Sequence, residues 1–269
     1  MNCFTNFLLI IVSQSRSNGF TLGNGSGAAG YSGNWETNET GQDYVAWNFK
    51  AGGAAVTNTD GTITSQVSAN TEAGFSVVSW NGNASTATIG HGLGSAPKMI
   101  ITKARNVAGT RWNTFHASVG TGKYLSLDTT NAASTFANAW PTLPDENVWY
   151  MSSWENYTGE NYISYVFAEV EGFSNFGSYV GNGSNSGPTI NCGFEPAFVM
   201  LKRSNGSGGW FIYDNKRASN LYLQANSSSS EGSDGGVVFN SNGFTINVTY
   251  QDHNALLGEY IYMAFANQF

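Results

Sequence analysis

The chain has 269 residues, enough for two domains of roughly 100–150 residues that can each bury a core. Aromatic residues make up 14%, charged residues 11%, and 33 positions are glycine, which favours a mainly β protein with short loops and excludes a disordered chain. A net charge of −7 argues against nucleic acid or an anionic membrane as a partner, because both bind positively charged surfaces.

The N-terminal part contains the longest apolar run, Phe7 to Val12. It is far shorter than the about 20 residues needed to cross a bilayer, and no basic segment of a secretory signal precedes it. The run is therefore predicted to be a strand, and no membrane insertion is expected. Cys3 and Cys192 are the only cysteines, so no disulfide framework is implied, which is typical of assembly in a reducing cytoplasm.

An internal repeat organises the rest of the chain. Trp112 and Trp210 are 98 residues apart, and Ser79-Trp80-Asn81-Gly82-Asn83 precedes Ser178-Tyr179-Val180-Gly181-Asn182 by 99 residues. Three parts are therefore predicted: a partial repeat with a connector at residues 1–73, and β-sandwich repeats at residues 74–171 and 172–269. The connector, residues 51–72, is expected to contribute one edge strand, from Thr62 to Val67, and a single flexible linker is the alternative.

The repeats carry the hydrophobic pattern of strands. Apolar and polar residues alternate from Phe75 onward, and short apolar runs such as residues 198–201 are typical of buried sandwich strands. Pairs such as Asn81-Gly82 predict tight turns that use positive φ. The predicted fold class is all-β, with tandem antiparallel β-sandwich units, jelly-roll-like, of about 100 residues each. Aromatic residues at matched positions of the two repeats are predicted to be core: Trp80, Tyr179, Trp112, Trp210, Tyr124 and Tyr222.

One connection changes in length between the copies while its flanking strands persist. It runs from Phe20 to Tyr44, from Trp149 to Tyr162 and from Phe244 to Tyr260, which predicts a surface loop. Exposed Trp and Tyr side chains can stack on sugar rings or anchor a protein partner. Chance aromatic content and packing against a neighbouring subunit are the alternatives. The candidate surface-binding residues are Tyr31, Trp35, Trp154, Tyr157 and His253.

The sequence gives little support for catalysis. Its three histidines are not spaced like metal ligands, and no nucleophile elbow, phosphate loop or dinucleotide motif is present. Glu169 and Glu171 would share one strand face and could form the acid/base pair of a glycosidase. The third copy has Asn267 where Glu169 stands, so a solvated lining of the seam between repeats is the favoured interpretation. No catalytic residue, metal or cofactor is predicted.

Four segments carry a family resemblance: residues 44–53, 90–103, 115–130 and 167–174, the last reading Phe-Ala-Glu-Val-Glu-Gly-Phe-Ser. They are similar to the tandem repeats of virion structural proteins in tailed phages, especially phages of marine cyanobacteria and other aquatic bacteria. The resemblance covers nearly everything from Ser17 to Phe269. It implies a tail-fibre-like protein that is located in the virion after assembly in the host cytoplasm.

The expected function is that of a non-enzymatic phage virion structural protein, a tail fibre or tail-associated component that contacts host-surface glycan or protein. Other virion proteins are the expected partners. The partial first repeat favours a homo-oligomer, with a trimer preferred, because open sheet edges are best buried between copies. Two alternatives stay open: a capsid decoration protein, such as a head fibre or cement protein, and a polysaccharide-cleaving enzyme of the tailspike type.

Overall fold

Alternating apolar and polar residues run through most of the chain, and nearly every such segment is a β-strand in the computed structural model. The structure describes residue 41, residues 43–218 and residues 220–267, so the strand predicted at Phe7 to Val12 lies outside it. From Lys50 onward the chain forms one compact unit. Of a second unit, residues 8–49, only residue 41 and residues 43–49 are described, and they contain no strand.

The compact unit contains nineteen described strands and one short helix. The first ten strands are β1 Val56–Asn58, β2 Ser65–Asn70, β3 Phe75–Asn81, β4 Ala87–Gly90, β5 Pro97–Ala104, β6 Asn113–His116, β7 Lys123–Ser126, β8 Ser134–Thr135, β9 Val148–Met151 and β10 Asn161–Ala168. The remaining elements are β11 Ser174–Val180, β12 Thr189–Asn191, β13 Pro196–Arg203, β14 Trp210–Asp214, β15 Leu221–Gln224, β16 Gly232–Ser233, β17 Val237–Asn240, β18 Gly243–Ile246, α1 Gln251–Asn254 and β19 Glu259–Ala266.

These strands form four sheets in which all paired strands are antiparallel. The first large sheet has the order β1-β2-β3-β10-β5-β6-β7-β8, and the second has the order β11-β19-β13-β14-β15-β16. Two small sheets accompany them, one made of β4 and β9 and the other of β12, β18 and β17. The prediction of an all-β, antiparallel sandwich-type fold is confirmed.

The two large sheets share one strand plan. In each, a strand that comes late in the sequence lies between the first two long strands: β10 lies between β3 and β5, and β19 lies between β11 and β13. The register also agrees, since Trp80 faces Tyr162 and Tyr179 faces Tyr260. Separate domains at residues 74–171 and 172–269 stay a prediction, because the compact unit includes both ranges.

Each large sheet packs one face against its small sheet to form a core. In the first core, the Trp80 ring stacks on Tyr162 at 4.2 Å and meets Trp149 edge-on at 6.4 Å. In the second, Tyr179 stacks on Tyr260 at 4.9 Å. Full burial of a large apolar side chain contributes roughly 1.5–3 kcal/mol, so these clusters stabilise the sandwiches. Of the six predicted core aromatics, Trp80, Tyr179 and Trp210 are buried, whereas Trp112, Tyr124 and Tyr222 are half-buried.

The opposite faces of the two large sheets contact each other. The rings of Phe167 and Phe265 are 6.0 Å apart, and Trp210 Nε1 donates a hydrogen bond to the carbonyl oxygen of Ser126 at 3.0 Å. Lys202 is fully buried at this contact. Its ammonium donates to the carbonyl oxygen of Arg203 at 2.7 Å and to that of Thr130, in the first half, at 3.4 Å. Burial lowers the pKa of Lys202 to about 8. The two halves therefore share a buried and partly polar interface.

A histidine at this interface makes stability depend on pH. His116 Nδ1 accepts a hydrogen bond from the Ser118 amide, and Nε2 lies 3.1 Å from the carbonyl oxygen of Tyr262 and donates to it. Burial lowers the pKa of His116 to about 4, so the folded protein holds it neutral while the unfolded chain binds a proton near pH 6.5. Stability is therefore lost as the pH falls from about 6.5 towards about 4.

When the pH falls from 7 to 5, the unfolded chain binds a proton at His116 and the folded protein does not. We expect this difference to lower the free energy of unfolding by about 2 kcal/mol. Few carboxylates titrate between pH 5 and pH 7, so the pH dependence of stability in that range comes mainly from histidine. Urea unfolding of the wild type and of His116→Gln at the two pH values measures the effect. Glutamine keeps a donor but does not titrate, so the variant should lose about 2 kcal/mol less on acidification. Equal losses in both proteins would contradict the assignment.

The connector before β3 has a different strand content from the one that the sequence predicts. A single edge strand was expected from Thr62 to Val67, but the chain forms two strands, β1 and β2, and β2 begins only at Ser65. β2 pairs with β3 along its length, and β1 pairs with β2. The small residues before Thr62 do not show the alternation that marks a strand, and tertiary pairing with β2 decides their conformation.

Candidate functional site

The five candidate binding residues lie in different environments. Tyr31 and Trp35 lie outside the described residues. In the loop between β9 and β10, Tyr157 is 48% exposed and Trp154 is half-buried. His253, in α1, is only 1% exposed because an aromatic ring of β14 covers its imidazole. The expectation that His253 is a surface residue is therefore wrong.

Trp154 belongs to a group of three rings, Tyr124, Phe136 and Trp154, which we call the aromatic patch. Tyr124 lies in β7, Phe136 follows β8 and Trp154 follows β9. The Trp154 ring is 4.7 Å from that of Tyr124 and 5.7 Å from that of Phe136. The Trp154 amide donates to Ser152 Oγ, which donates to the carbonyl oxygen of Asn138 at 2.7 Å. These bonds fix the loop that carries Trp154, so the patch is held in place.

The aromatic patch has the properties of a ligand-contacting surface. Phe136 is 40% exposed, and Tyr124 and Trp154 are half-buried, so their rings are supported from beneath and remain partly open to solvent. Exposed polar residues, Lys123 and Asn138, lie beside these rings in the sequence and can donate hydrogen bonds. Rigid aromatic faces with polar neighbours suit contact with a sugar ring or with an apolar anchor of a protein.

Glu155 is the carboxylic acid closest in sequence to the patch. Its φ is +52°, and burial raises the pKa of its carboxyl, which a hydrogen bond from Asn113 opposes. A raised carboxyl pKa suits a general acid, but glycoside hydrolysis needs a second carboxyl at a defined distance. The nearby carboxylate of Glu160 accepts the hydroxyl of Tyr162 at 2.5 Å. Glu160 is therefore engaged in a hydrogen bond with Tyr162.

The positions in the second half that correspond to the aromatic patch carry different residue types. A spacing of 98 residues, which relates Tyr124 to Tyr222 and β7 to β15, puts Asp234 where the first half has Phe136 and Asp252 where it has Trp154. The aromatic patch therefore has a polar counterpart in the second half.

The polar counterpart centres on a buried cluster of Tyr213, Asp234 and His253. The Tyr213 hydroxyl is 3.0 and 3.1 Å from the two carboxylate oxygens of Asp234 and 2.7 Å from His253 Nε2. His253 Nε2 is also 3.5 Å from Asp234 Oδ2. Burial lowers the pKa of His253, and burial together with the charge of Asp234 raises the pKa of Tyr213. Both side chains are therefore held neutral.

This cluster suits a structural role. It ties β14 to α1 and to the turn after β16, and His253 Nδ1 is buried without a hydrogen-bond partner among the described residues. When Tyr213 donates to Asp234, His253 Nε2 donates to the Tyr213 oxygen, and the network is then satisfied at that end. A general base must reach the proton that it removes, whereas His253 is 1% exposed.

Glu169 and Glu171 lie in different surroundings. Glu169 follows the end of β10, and its carboxylate accepts the amide of Phe176 at 3.0 Å and the side chain of Asn175 at 3.3 Å. It therefore covers part of the edge of β11. Glu171 is exposed in the turn between β10 and β11, so the expectation that the two share one strand face is wrong.

The described residues give no metal centre. No group of three or more His, Cys, Asp or Glu side chains in this part of the chain is placed to hold an ion. Burial raises the pKa of the Cys192 thiol to about 12, so that thiol is not an activated nucleophile. No helix among the described residues is long and apolar enough to cross a membrane.

Sequence reasoning missed several residues that shape this end of the molecule. Tyr124 was predicted to be core, and Phe136 was not singled out, although both form the aromatic patch with Trp154. The buried amides of Asn156 and Asn254, which fix the loops beside the patch and beside its polar counterpart, were also missed. The same 98-residue spacing relates these two asparagines and would have identified them.

Comparisons with known proteins give the family. A search of curated proteins and a search of solved structures each found no match. A family model described as a domain of unknown function (DUF7483) matches residues 9–268. Since the match spans nearly the whole chain, the protein belongs to this family.

Proposed function

We propose that the chain is a non-enzymatic structural protein of a phage virion, carried on the tail or as a fibre, and that its aromatic patch contacts glycan on the host surface. The observation that carries the contact is the grouping of Trp154, in the loop that varies between the copies, with Tyr124 and Phe136. The virion location rests on the resemblance of residues 90–103 and 115–130 to virion repeats.

The chemistry of the site supports binding over catalysis. Two carboxylates near the patch and its counterpart accept hydrogen bonds, Glu160 from Tyr162 and Asp234 from Tyr213. Glu169, which an enzymatic function would have used, accepts hydrogen bonds from β11. What remains exposed is a supported set of rings, and such rings lose little conformational entropy on binding because they have few rotatable bonds.

The binding experiment uses an array of bacterial lipopolysaccharide O-chains and capsular oligosaccharides, probed with the purified wild type. For any glycan bound, we expect Trp154→Ala to weaken the interaction by at least about tenfold, equivalent to about 1.4 kcal/mol. Tyr250→Ala is the matched control, because Tyr250 is 56% exposed in the other half and outside the patch, and it should bind like the wild type.

Two outcomes would contradict the proposal. Absence of binding to every glycan, or equal binding by the wild type and Trp154→Ala, would remove the glycan contact. Antibody labelling of phage particles, followed by electron microscopy, tests the location separately. Tail labelling supports the proposal, and label on the head would favour the capsid decoration alternative.

A further inference from the structure

Glu155 directly follows Trp154 of the aromatic patch and has an unusual backbone. Its φ is +52°, in the left-handed region, where a residue other than glycine is uncommon. Such conformations persist where the surrounding contacts hold them, and they cluster at sites that bind ligands. The equivalent residue of the second half, 98 positions later, is His253, which lies in α1. The unusual conformation therefore belongs to the half that carries the aromatic patch.

A buried amide holds the carboxyl of Glu155. The side chain of Asn113 donates a hydrogen bond to this carboxyl, and Asn113 is only 2% exposed. The other polar atom of the amide, Asn113 Oδ1, is buried without a hydrogen-bond partner among the described residues. Buried amides normally have partners for both polar atoms. An unpartnered acceptor beside a half-buried carboxyl therefore marks a polar site that is incompletely satisfied.

The pairing of β6 with β7 places this polar site next to the aromatic rings. Asn113 is the register partner of Ser126, and Tyr124, two residues earlier in β7, lies on the same face of the sheet. Trp154 covers Tyr124 on that face, with ring centres 4.7 Å apart. Glu155 in turn contacts Asn113. Two residues of a strand span roughly 6–7 Å, so the carboxyl lies about one sugar ring away from the aromatic rings.

The carboxyl of Glu155 has few donors and a like charge close by. An ionised carboxyl can accept about four hydrogen bonds, and among the described residues only Asn113 donates to this one. Burial raises the pKa of Glu155, the charge of Glu160 raises it further, and the charge of Lys103 opposes both. Hydroxyl groups of a ligand would supply the missing donors, whereas a carboxylate or phosphate of a ligand would be repelled.

We propose that Glu155 is a binding residue of the aromatic patch and that the patch takes a neutral hexose, which stacks on Trp154 and donates hydroxyl hydrogen bonds to the Glu155 carboxylate. This inference rests on the proposed function, because it names the class of sugar for the same glycan contact. A hexose has an apolar ring face and hydroxyl groups at its edge, which matches aromatic rings beside an acceptor. The charges of Glu155 and Glu160 exclude uronic acids and phosphorylated sugars.

The test adds matched pairs of oligosaccharides to the glycan array: oligomers of glucose, galactose and mannose, each beside the oligomer of the corresponding uronic acid. We expect the wild type to bind a neutral oligomer at least tenfold more tightly than its uronic acid partner. Glu155→Gln should bind that neutral oligomer at least tenfold more weakly, because an amide replaces a charged acceptor. The same variant should no longer discriminate against the uronic acid, an effect that loss of folding does not produce.

Two controls separate binding from folding. The glutamine amide of Glu155→Gln can donate to Asn113 Oδ1, so urea unfolding should show this variant to be at least as stable as the wild type. Glu171→Gln removes the same charge from an exposed position in the turn after β10, whereas Glu155 precedes that strand. Glu171→Gln should therefore bind every oligomer like the wild type.

The outcomes distinguish this inference from the proposed function. Equal binding of a neutral oligomer by the wild type and Glu155→Gln, with Trp154→Ala still weaker, would overturn the role of Glu155 and leave the glycan contact standing. A wild type that binds a uronic acid oligomer as tightly as its neutral partner would overturn the choice of sugar. Absence of binding to every oligosaccharide would overturn both the inference and the proposed function.

Discussion

Replacing Asn254 with alanine is expected to lower the free energy of unfolding by about 3 kcal/mol. Asn254 is fully buried, and its side chain accepts the amide of Asn182 at 2.8 Å while donating to the carbonyl oxygens of Ser184 at 2.7 Å and Val248 at 2.9 Å. One amide therefore closes the loop after β11 and ties it to the loop before α1. Alanine removes all of these bonds and leaves a cavity.

Chemical unfolding in urea measures the loss, with Asn131→Ala as the control because Asn131 is exposed. Asn156→Ala provides an internal replicate. Asn156 is equally buried and donates to the carbonyl oxygen of Ser85 at 2.6 Å in the first half. A loss below about 1 kcal/mol for both buried asparagines would show that these loops hold without their amides.

Gly82→Ala is expected to cost about 3 kcal/mol for a different reason. A Cβ at Gly82 would lie 2.1 Å from the carbonyl oxygen of Tyr157, and at the equivalent Gly181 it would lie 2.2 Å from that of Ala255. In both places the obstacle is backbone, which cannot rotate away as a side chain can. The sequence predicted a turn with positive φ at Gly82, but the glycine is required there by this close approach.

Thermal and urea unfolding of Gly82→Ala, compared with Ser85→Ala in the same loop, separates the steric cost from a general effect of alanine. Ser85 is exposed, so its replacement should change stability by less than about 0.5 kcal/mol. If Gly82→Ala were equally mild, the loop of Tyr157 would have to move away at little cost, and the proposed packing would be incorrect.

Much of the fold follows from local pattern. Alternation from Phe75 and the apolar run at residues 198–201 marked β3 and β13, and the spacing that relates Trp80 to Tyr179 identified positions that face equivalent neighbours in the two large sheets. The pairing of the sheets could not be predicted in this way. The apolar pattern of a strand buried on both faces does not specify which sheet covers either face.

The candidate site was only partly predictable. Loop length and aromatic content pointed to Trp154, but they pointed equally to His253, which tertiary packing buries beneath β14. Trp154 and His253 lie in equivalent loops, so their different exposure depends on what the neighbouring elements supply. In the first half these neighbours are Tyr124 and Phe136, and in the second they are Tyr213 and Asp234. No local pattern carries that information.

The late insertion of β10 and β19 has a consequence for synthesis on the ribosome. Trp80 donates a hydrogen bond to Ser164, 84 residues further along the chain, so the first large sheet cannot close until β10 has emerged. The second sheet waits likewise for β19. At about 5–20 residues per second, the nascent chain presents unpaired apolar strands for several seconds at each stage. Each sheet is completed by its final strand, so its other apolar strands stay exposed to aggregation until that strand has been released.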